Sequence, residues 1–368
     1  MRTAGAGALT AAFAAFGLWW GAWAASLPAV KTAAGASAAQ LGLALFAVGL
    51  AALPAMLLTG RIADRPRVLP AMLVLFAGAG ALPALARSPS GLFACLLVVG
   101  ATSGALDVAV NARASAFESA GGVRIMDGVH AAFSAGVLVG GAGTGLLRNA
   151  GARPEWILLA VGVALVAVAG ANRGAADAPS VVGRGGLTHR LLGVGGLLAL
   201  AFLLEGGLES WSAVFLERGL HTSPAVSGLG PGSFAAAMAL GRLVAQRAAQ
   251  TPPPVRISVA GGLATAGIAL VAGAAHPAIA LVGFVVAGCG LSVAAPTLFG
   301  AAGRVGGGAA ISTVATVGYI GFLAGPPLFG GVAGAAGLRG GFVLLAGVAV
   351  VLGAGSLLLP ALLRDSRS

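Results

Sequence analysis

Charge is what this chain has least of. Only 8% of its 368 residues are Asp, Glu, Lys or Arg, where a soluble domain carries about 25%. A chain so poor in charge cannot cover a water-facing surface. There are ten acids, one lysine (Lys31), one tyrosine (Tyr319) and four scattered histidines. That scatter provides no metal-ligand set. The two cysteines, Cys95 and Cys289, sit in apolar runs without a C-x-x-C pair. They read as core fillers, not as a disulfide framework or a zinc site. No H-E-x-x-H, G-x-S-x-G or G-x-x-x-x-G-K-[ST] pattern occurs, so neither an enzyme nor a nucleotide-driven pump is expected. No polar segment is long enough to form an ATPase or sensor domain.

What the chain has instead is apolar length. It is 58% hydrophobic with a mean hydropathy of +0.99, and it carries 62 glycines. Small residues let helices approach closely in lipid, where the backbone must bond internally and helix is forced. Runs of about 20 apolar residues cross a hydrocarbon core of roughly 30 Å. They fall near 8–27, 39–58, 69–86, 91–115, 128–147 and 155–171, then near 190–213, 224–244, 255–274, 277–299, 308–330 and 340–362. Arg2 ahead of an apolar run ending in AWAAS also has the form of a signal peptide. The length of that run, and the spans behind it, favour a first span. The prolines Pro54, Pro231, Pro296, Pro326 and Pro327 interrupt spans and predict kinks.

Twelve spans place both termini on one side. Fifteen arginines fall on that side, against Lys31 and five arginines on the other. The positive-inside rule makes the first side cytoplasmic. The net charge of +11 is thereby explained without nucleic acid. The stretch 172–189 is the longest weakly apolar one and reads as a linker between residues 1–171 and 190–368. Those halves repeat. Gly60-Arg61 answers to Gly241-Arg242, Gly104-Ala105-Leu106-Asp107 to Cys289-Gly290-Leu291-Ser292, and Gly136-x-x-x-Gly140 to Gly321-x-x-x-Gly325. The offsets are 181, 185 and 185 residues. The fold class expected is an all-α membrane protein of two pseudo-symmetric six-helix bundles.

Polar residues inside the spans are the candidates for function, because ionisable groups there are costly. Ser103, Asp107, Asn111 and Ser115 recur every four residues and share one helix face. Asp107 is either an acid that carries protons along a transport path or half of a helix-to-helix hydrogen bond. Asn111 would hold substrate or orient it. His130 opens the fifth span with Ser134 one turn on. It is a helix cap or, with its pKa near neutrality, a proton relay, and it could meet Asp107 or Asn111. Glu205 and Glu209 share a face of the seventh span, the first deeper and cavity-lining, the second nearer the outer mouth. Ser312, Thr316 and Tyr319 share a face of the eleventh, either to bond a polar solute or to tie helices together. Trp19, Trp20 and Trp23 form an interfacial aromatic belt or, at Trp20 and Trp23, stack on a ligand.

The loop Gly60-Arg61-Ile62-Ala63-Asp64-Arg65-Pro66-Arg67 makes a resemblance nameable. With twelve spans as six plus six and a central linker, the chain resembles the major facilitator superfamily, whose loop runs roughly G-x-x-x-D-R-x-G-R-[RK]. Gly60, Asp64, Arg65 and Arg67 match. Val68 and Leu69 replace the usual basic residues, and the second-half copy has Ala245 in place of the acid. The stretches LDVAVNARASAFE, GVHAAFSAGVLVG and EGGLESWSAVFL resemble a bacterial branch near the fucose-permease-like sugar transporters.

The resemblance implies a monomeric transporter of the bacterial inner membrane, without cofactor. Its two bundles would rock about a central site. Gly60, Asp64, Arg65 and Arg67 would act as a conformational latch. Proton-driven symport of a sugar-like or other small polar solute is the expectation, with Asp107, Glu205 and His130 on the proton path. Antiport export of drugs or metabolites is the runner-up. A receptor that binds without flux is the alternative from outside transport.

Overall fold

The computed structural model describes residues 2–63, 65–121, 125–173, 189–245 and 250–363. Among them every regular element is helical: α1 (Arg2–Ala33), α2 (Ala38–Thr59), α3 (Val68–Ala79), α4 (Leu82–Leu85), α5 (Pro89–Gly121), α6 (Met126–Asn149), α7 (Pro154–Ala171), α8 (His189–Val214), α9 (Pro224–Ser227), α10 (Leu229–Ala245), α11 (Pro253–Gly273), α12 (Pro277–Leu291), α13 (Ala294–Gly355) and α14 (Leu359–Leu363). A π-helical turn, Phe215–Gly219, continues α8. Local sequence sets the starts. Ser37 and Gln40 exchange side-chain and backbone hydrogen bonds in a capping box that opens α2. Proline stands in the first turn of α7, α11 and α12, where its missing N–H costs nothing.

Ten of these helical stretches are long and apolar enough to cross a membrane. One of them, Ala310–Leu362, has 53 residues. As a straight helix α13, 62 residues long, would measure about 93 Å, three times the hydrocarbon core. It is not straight. Phe329 and Phe342 pack edge to face with centroids 4.9 Å apart, whereas thirteen residues of straight helix would separate them by about 20 Å. The chain therefore reverses between them, at Gly337, whose φ of 73° belongs to the left-handed region glycine tolerates. The Ile311 side chain lies 3.3 Å from where a Gly303 Cβ would stand, so the helix also folds back between those residues. Counting the eleventh and twelfth crossings on either side of Gly337, and α10 as the eighth, gives twelve.

The third crossing is broken. α3 ends at Ala79, and the buried carbonyl of Gly80 accepts the Trp19 indole N–H at 3.2 Å. Burial inside the bundle explains that bond. Trp19 is fully buried, stacked on Trp23 and edge to face with Phe76. Trp19 and Trp23 thus belong to the core, and the expected interfacial belt does not form there. Conversely Leu57, Leu58, Val139, Leu146 and Val163 are exposed, as lipid-facing side chains should be.

The chain divides into two compact units, Met1–Val182 with Thr222–Gly232, and Gly183–His221 with Ser233–Ser368. Of the expected linker, 172–189, residues 174–188 lie outside the described ones. The segment Thr222–Gly232, expected within the second half at the start of its second span, groups with the first unit. There a Cβ at Gly145 would stand 2.6 Å from the Pro224 carbonyl and one at Gly141 2.9 Å from that of Gly228.

The two units are built alike. In the first, methyl groups placed on Gly136 and Gly140 would overlap the backbone of Ala14 and Leu18 on α1. In the second, methyl groups on Gly321 and Gly325 would overlap Ala199 and Leu203 on α8. The same 185-residue offset relates each glycine and each partner. Gly104 packs on Ala52, and Cys289, its repeat mate, donates its thiol to the carbonyl of Ala237, again 185 residues on. The glycine motifs therefore mark the first–fifth and seventh–eleventh helix pairs.

Candidate functional site

In the first unit, α5 carries Asp107 and Asn111 one turn apart, both half-buried in an apolar helix. The Asn111 amide Nδ2 donates to the Asp107 carboxylate oxygen Oδ1 at 3.1 Å and to the Asp107 carbonyl at 2.9 Å. No ion pair to Asp107 exists among the described residues. A neutral amide thus orients the acid without fixing its charge.

His130 is exposed at the start of α6, edge to face with Phe13 at 5.1 Å. Its carbonyl accepts the Ser134 hydroxyl. Trp20 is half-buried against Trp19 and Phe16, while Trp23, only 2% exposed, is closed off by its stack on Trp19.

In the second unit, α8 is largely buried, but Glu205 and Glu209 fall on its partly exposed stripe. The Arg242 charge on α10 reaches both carboxylates, and they reach each other. Arg242 stands in the last turn of α10. Tyr319 lies among the rings of Phe202 and Phe322. Ser312 and Thr316 are exposed, and the Thr316 hydroxyl donates to the Ser312 carbonyl at 2.9 Å, the usual satisfaction of a hydroxyl in an apolar helix.

At the loop between α2 and α3, Gly60 closes α2 and its N–H donates to the Met56 carbonyl at 2.9 Å. The side chains of Arg65 and Arg67 are exposed. Asp64 lies outside the described residues. Two groups join this end of the first unit that hydropathy had passed over as loop charge. Arg113, 4% exposed, is held inside α5 and donates from Nη2 to the Pro66 carbonyl at 3.3 Å, tying the loop to the helix of Asp107. Glu118 accepts the backbone N–H groups of Ile125 and Met126 at 2.8 and 2.9 Å. It caps α6 with a carboxylate, the charge a helix N-terminus favours.

The Major Facilitator Superfamily profile matches residues 8–307. The chain belongs to the Major Facilitator Superfamily. An uncharacterized MFS-type transporter of Yersinia pestis is 34% identical over 339 residues, covering 88% of this chain and 87% of its own length. Membrane protein MosC of Rhizobium meliloti is 30% identical over 351 residues, covering 92% and 86%. Among solved structures, a bacterial homolog of the human lysosomal transporter Spinster aligns with a TM-score of 0.77 and 17% identity over 98% of both chains. The nucleoside transporter NupG aligns with a TM-score of 0.76 and 14% identity over 97% of this chain and 99% of its own. As a superfamily member the protein is a multi-pass membrane transporter of a small molecule and not an enzyme.

Proposed function

We propose that this superfamily member is a proton-coupled secondary transporter that imports a small polar, sugar-like solute by symport. It would act as a monomer in the bacterial plasma membrane, with both termini cytoplasmic. The observation that carries the reading is the Asp107–Asn111 pair. An acid held by an arginine stays charged through a transport cycle. An acid held by a neutral amide in an apolar helix can take up and release a proton as its access to water changes, since a bare carboxylate in lipid costs at least about 2.5–3.5 kcal/mol. Glu205 supplies a second acid in the other half. Asn111, Ser134, Trp20, Ser312, Thr316 and Tyr319 supply polar and aromatic contacts for a solute. The loop of Gly60, Arg65 and Arg67, tied to α5 by Arg113, serves as the latch that biases one conformation.

The test uses the purified protein in liposomes containing a pH-sensitive dye, with pooled sugars and other small polar solutes added outside. Solute-dependent acidification of the lumen is expected. Asp107→Asn, with unchanged elution from a sizing column, should abolish it. Equal flux in the mutant would remove Asp107 from the proton path. Solute-driven alkalinisation would replace symport by antiport.

A further inference from the structure

We propose that the second unit binds a small solute bearing a protonated amine, with Glu205 and Glu209 facing its charge and Phe202, Phe299, Tyr319 and Phe322 surrounding its body. This deepens the transport reading by naming the class of solute, and it rests on that reading only for the claim that the bound molecule is carried.

Glu205 and Glu209 are one turn apart on α8, so their side chains share a face. Neither carboxylate makes a hydrogen bond or close ion pair among the described residues. Arg242 on α10 is exposed and forms no close ion pair with either among the described residues. Two acids on one face of a membrane span thus lack a close cationic partner, which a protonated amine would supply. Ser212, three residues beyond Glu209 on the same face, is fully buried, and its hydroxyl has no partner. A buried unpaired hydroxyl is rare and costly. It lies on the helix face the two acids occupy, where it could donate to a polar group of a bound solute.

The rings add the second half of the argument. Phe202 lies one turn before Glu205 on that face, 6.5 Å from Phe299 and 6.4 Å from Tyr319 between centroids. Tyr319 lies 6.2 Å from Phe322, and Phe322 reaches within 3.3 Å of where a Gly206 Cβ would stand. All four rings are partly exposed, unlike Phe215, Phe284, Phe329 and Phe342, which are sealed in the core. Ring faces attract organic cations and carboxylates neutralise them. A neutral polyol could hydrogen-bond the carboxyl groups but not pair with them as an ion, so among small polar, sugar-like solutes one bearing an amine fits best. A hard metal ion seeks a shell of oxygens, which the rings do not supply.

The test measures binding, not flux, on the full-length protein in detergent. Calorimetric titrations compare two matched pairs, phenethylamine with 2-phenylethanol and glucosamine with glucose, alongside sodium chloride. At least one amine is expected to bind at least tenfold more tightly than its neutral mate. Glu205→Gln should weaken that amine at least tenfold, and Glu155→Gln, which removes a carboxylate outside this group, should not. The proposal falls if neither amine binds, if each neutral mate binds as tightly, if sodium alone binds, or if Glu205→Gln leaves amine affinity unchanged. Amine binding without any solute-dependent proton flux would leave this site standing and sink the coupled-transport reading instead. Flux driven only by neutral solutes would do the reverse.

Discussion

Replacing Gly136 by alanine should loosen the first unit far more than the same change at Gly143, two turns further along α6. A Cβ at Gly136 would meet the Ala14 carbonyl and stand 2.8 Å from the Leu18 amide nitrogen, whereas at Gly143 nothing lies within 4 Å. The obstacle at Gly136 is backbone, which cannot swing aside as a side chain can. The two helices must separate at their closest approach, and the contacts beside it lose part of their dispersion energy. Overpacking of this kind costs about 1–3 kcal/mol. Alanine's better helix propensity returns less than about 1 kcal/mol, because in lipid the segment is helical whichever residue it carries. For a unit of this size each kcal/mol moves the melting temperature by about 2–4 °C. The assay is thermal unfolding in detergent followed by tryptophan emission, since Trp19, Trp20 and Trp23 sit on the helix that Gly136 touches. Gly140→Ala should behave like Gly136→Ala, and the double variant should lose less than the sum, because one separation of the helices accommodates both methyl groups. Gly321→Ala should reproduce the loss in the second unit. Gly136→Ala melting no lower than Gly143→Ala would refute the assignment of the motif to a helix contact.

Glu118→Ala removes the cap on two backbone N–H groups of α6 and should cost about 1 kcal/mol, seen as a lower melting temperature. Glu118→Gln, which keeps an acceptor, should recover part of it. Arg113→Ala should cost about 1.5–3 kcal/mol through the lost charge-assisted bond to the Pro66 carbonyl. It should also speed trypsin cleavage after Arg67, and a cleavage rate equal to wild type would show that the loop is held by other contacts.

Hydropathy found the spans because lipid demands apolar length, and their order followed. It stopped the fourth span at residue 115, where Asn111, Arg113, Ser115 and Glu118 make the sequence look like a loop. The helix instead runs to Gly121, with its polar groups bonded within the protein. Nor could a hydropathy count see the carbonyl at Gly80, which is left over where α3 ends and found by Trp19 from α1. It read the tryptophans as a belt because a helix-spaced aromatic cluster near a span end looks the same whether lipid or protein covers it. The turn at Gly337 was placed among residues 331–339, but without the long loop that spacing suggested. One left-handed glycine suffices to reverse a helix whose hydrogen bonds otherwise continue.

The repeat separates what was legible in the candidate site from what was not. Glycines at the helix contacts keep the 185-residue offset in both units, since each is held by the same closeness of two backbones. At that offset Trp20 stands where the second unit has Glu205, Ser134 where it has Tyr319, and Asp107 where it has Ser292. The Ser292 hydroxyl merely donates to the Cys289 carbonyl of its own helix at 2.6 Å, while Asp107 keeps an oriented carboxylate. Positions that hold helices together have thus stayed alike, and positions on the partly exposed stripes have not. A scaffold contact has one solution, two small residues, and repeats it. A stripe that does not hold two backbones together has no such single solution and need not repeat. That asymmetry is why sequence pattern alone located the polar residues but could not assign them partners. It also places an acid with a neutral partner in the first unit and the acid pair with rings in the second, which predicts that proton coupling and recognition of a charged solute can be lost separately by mutation.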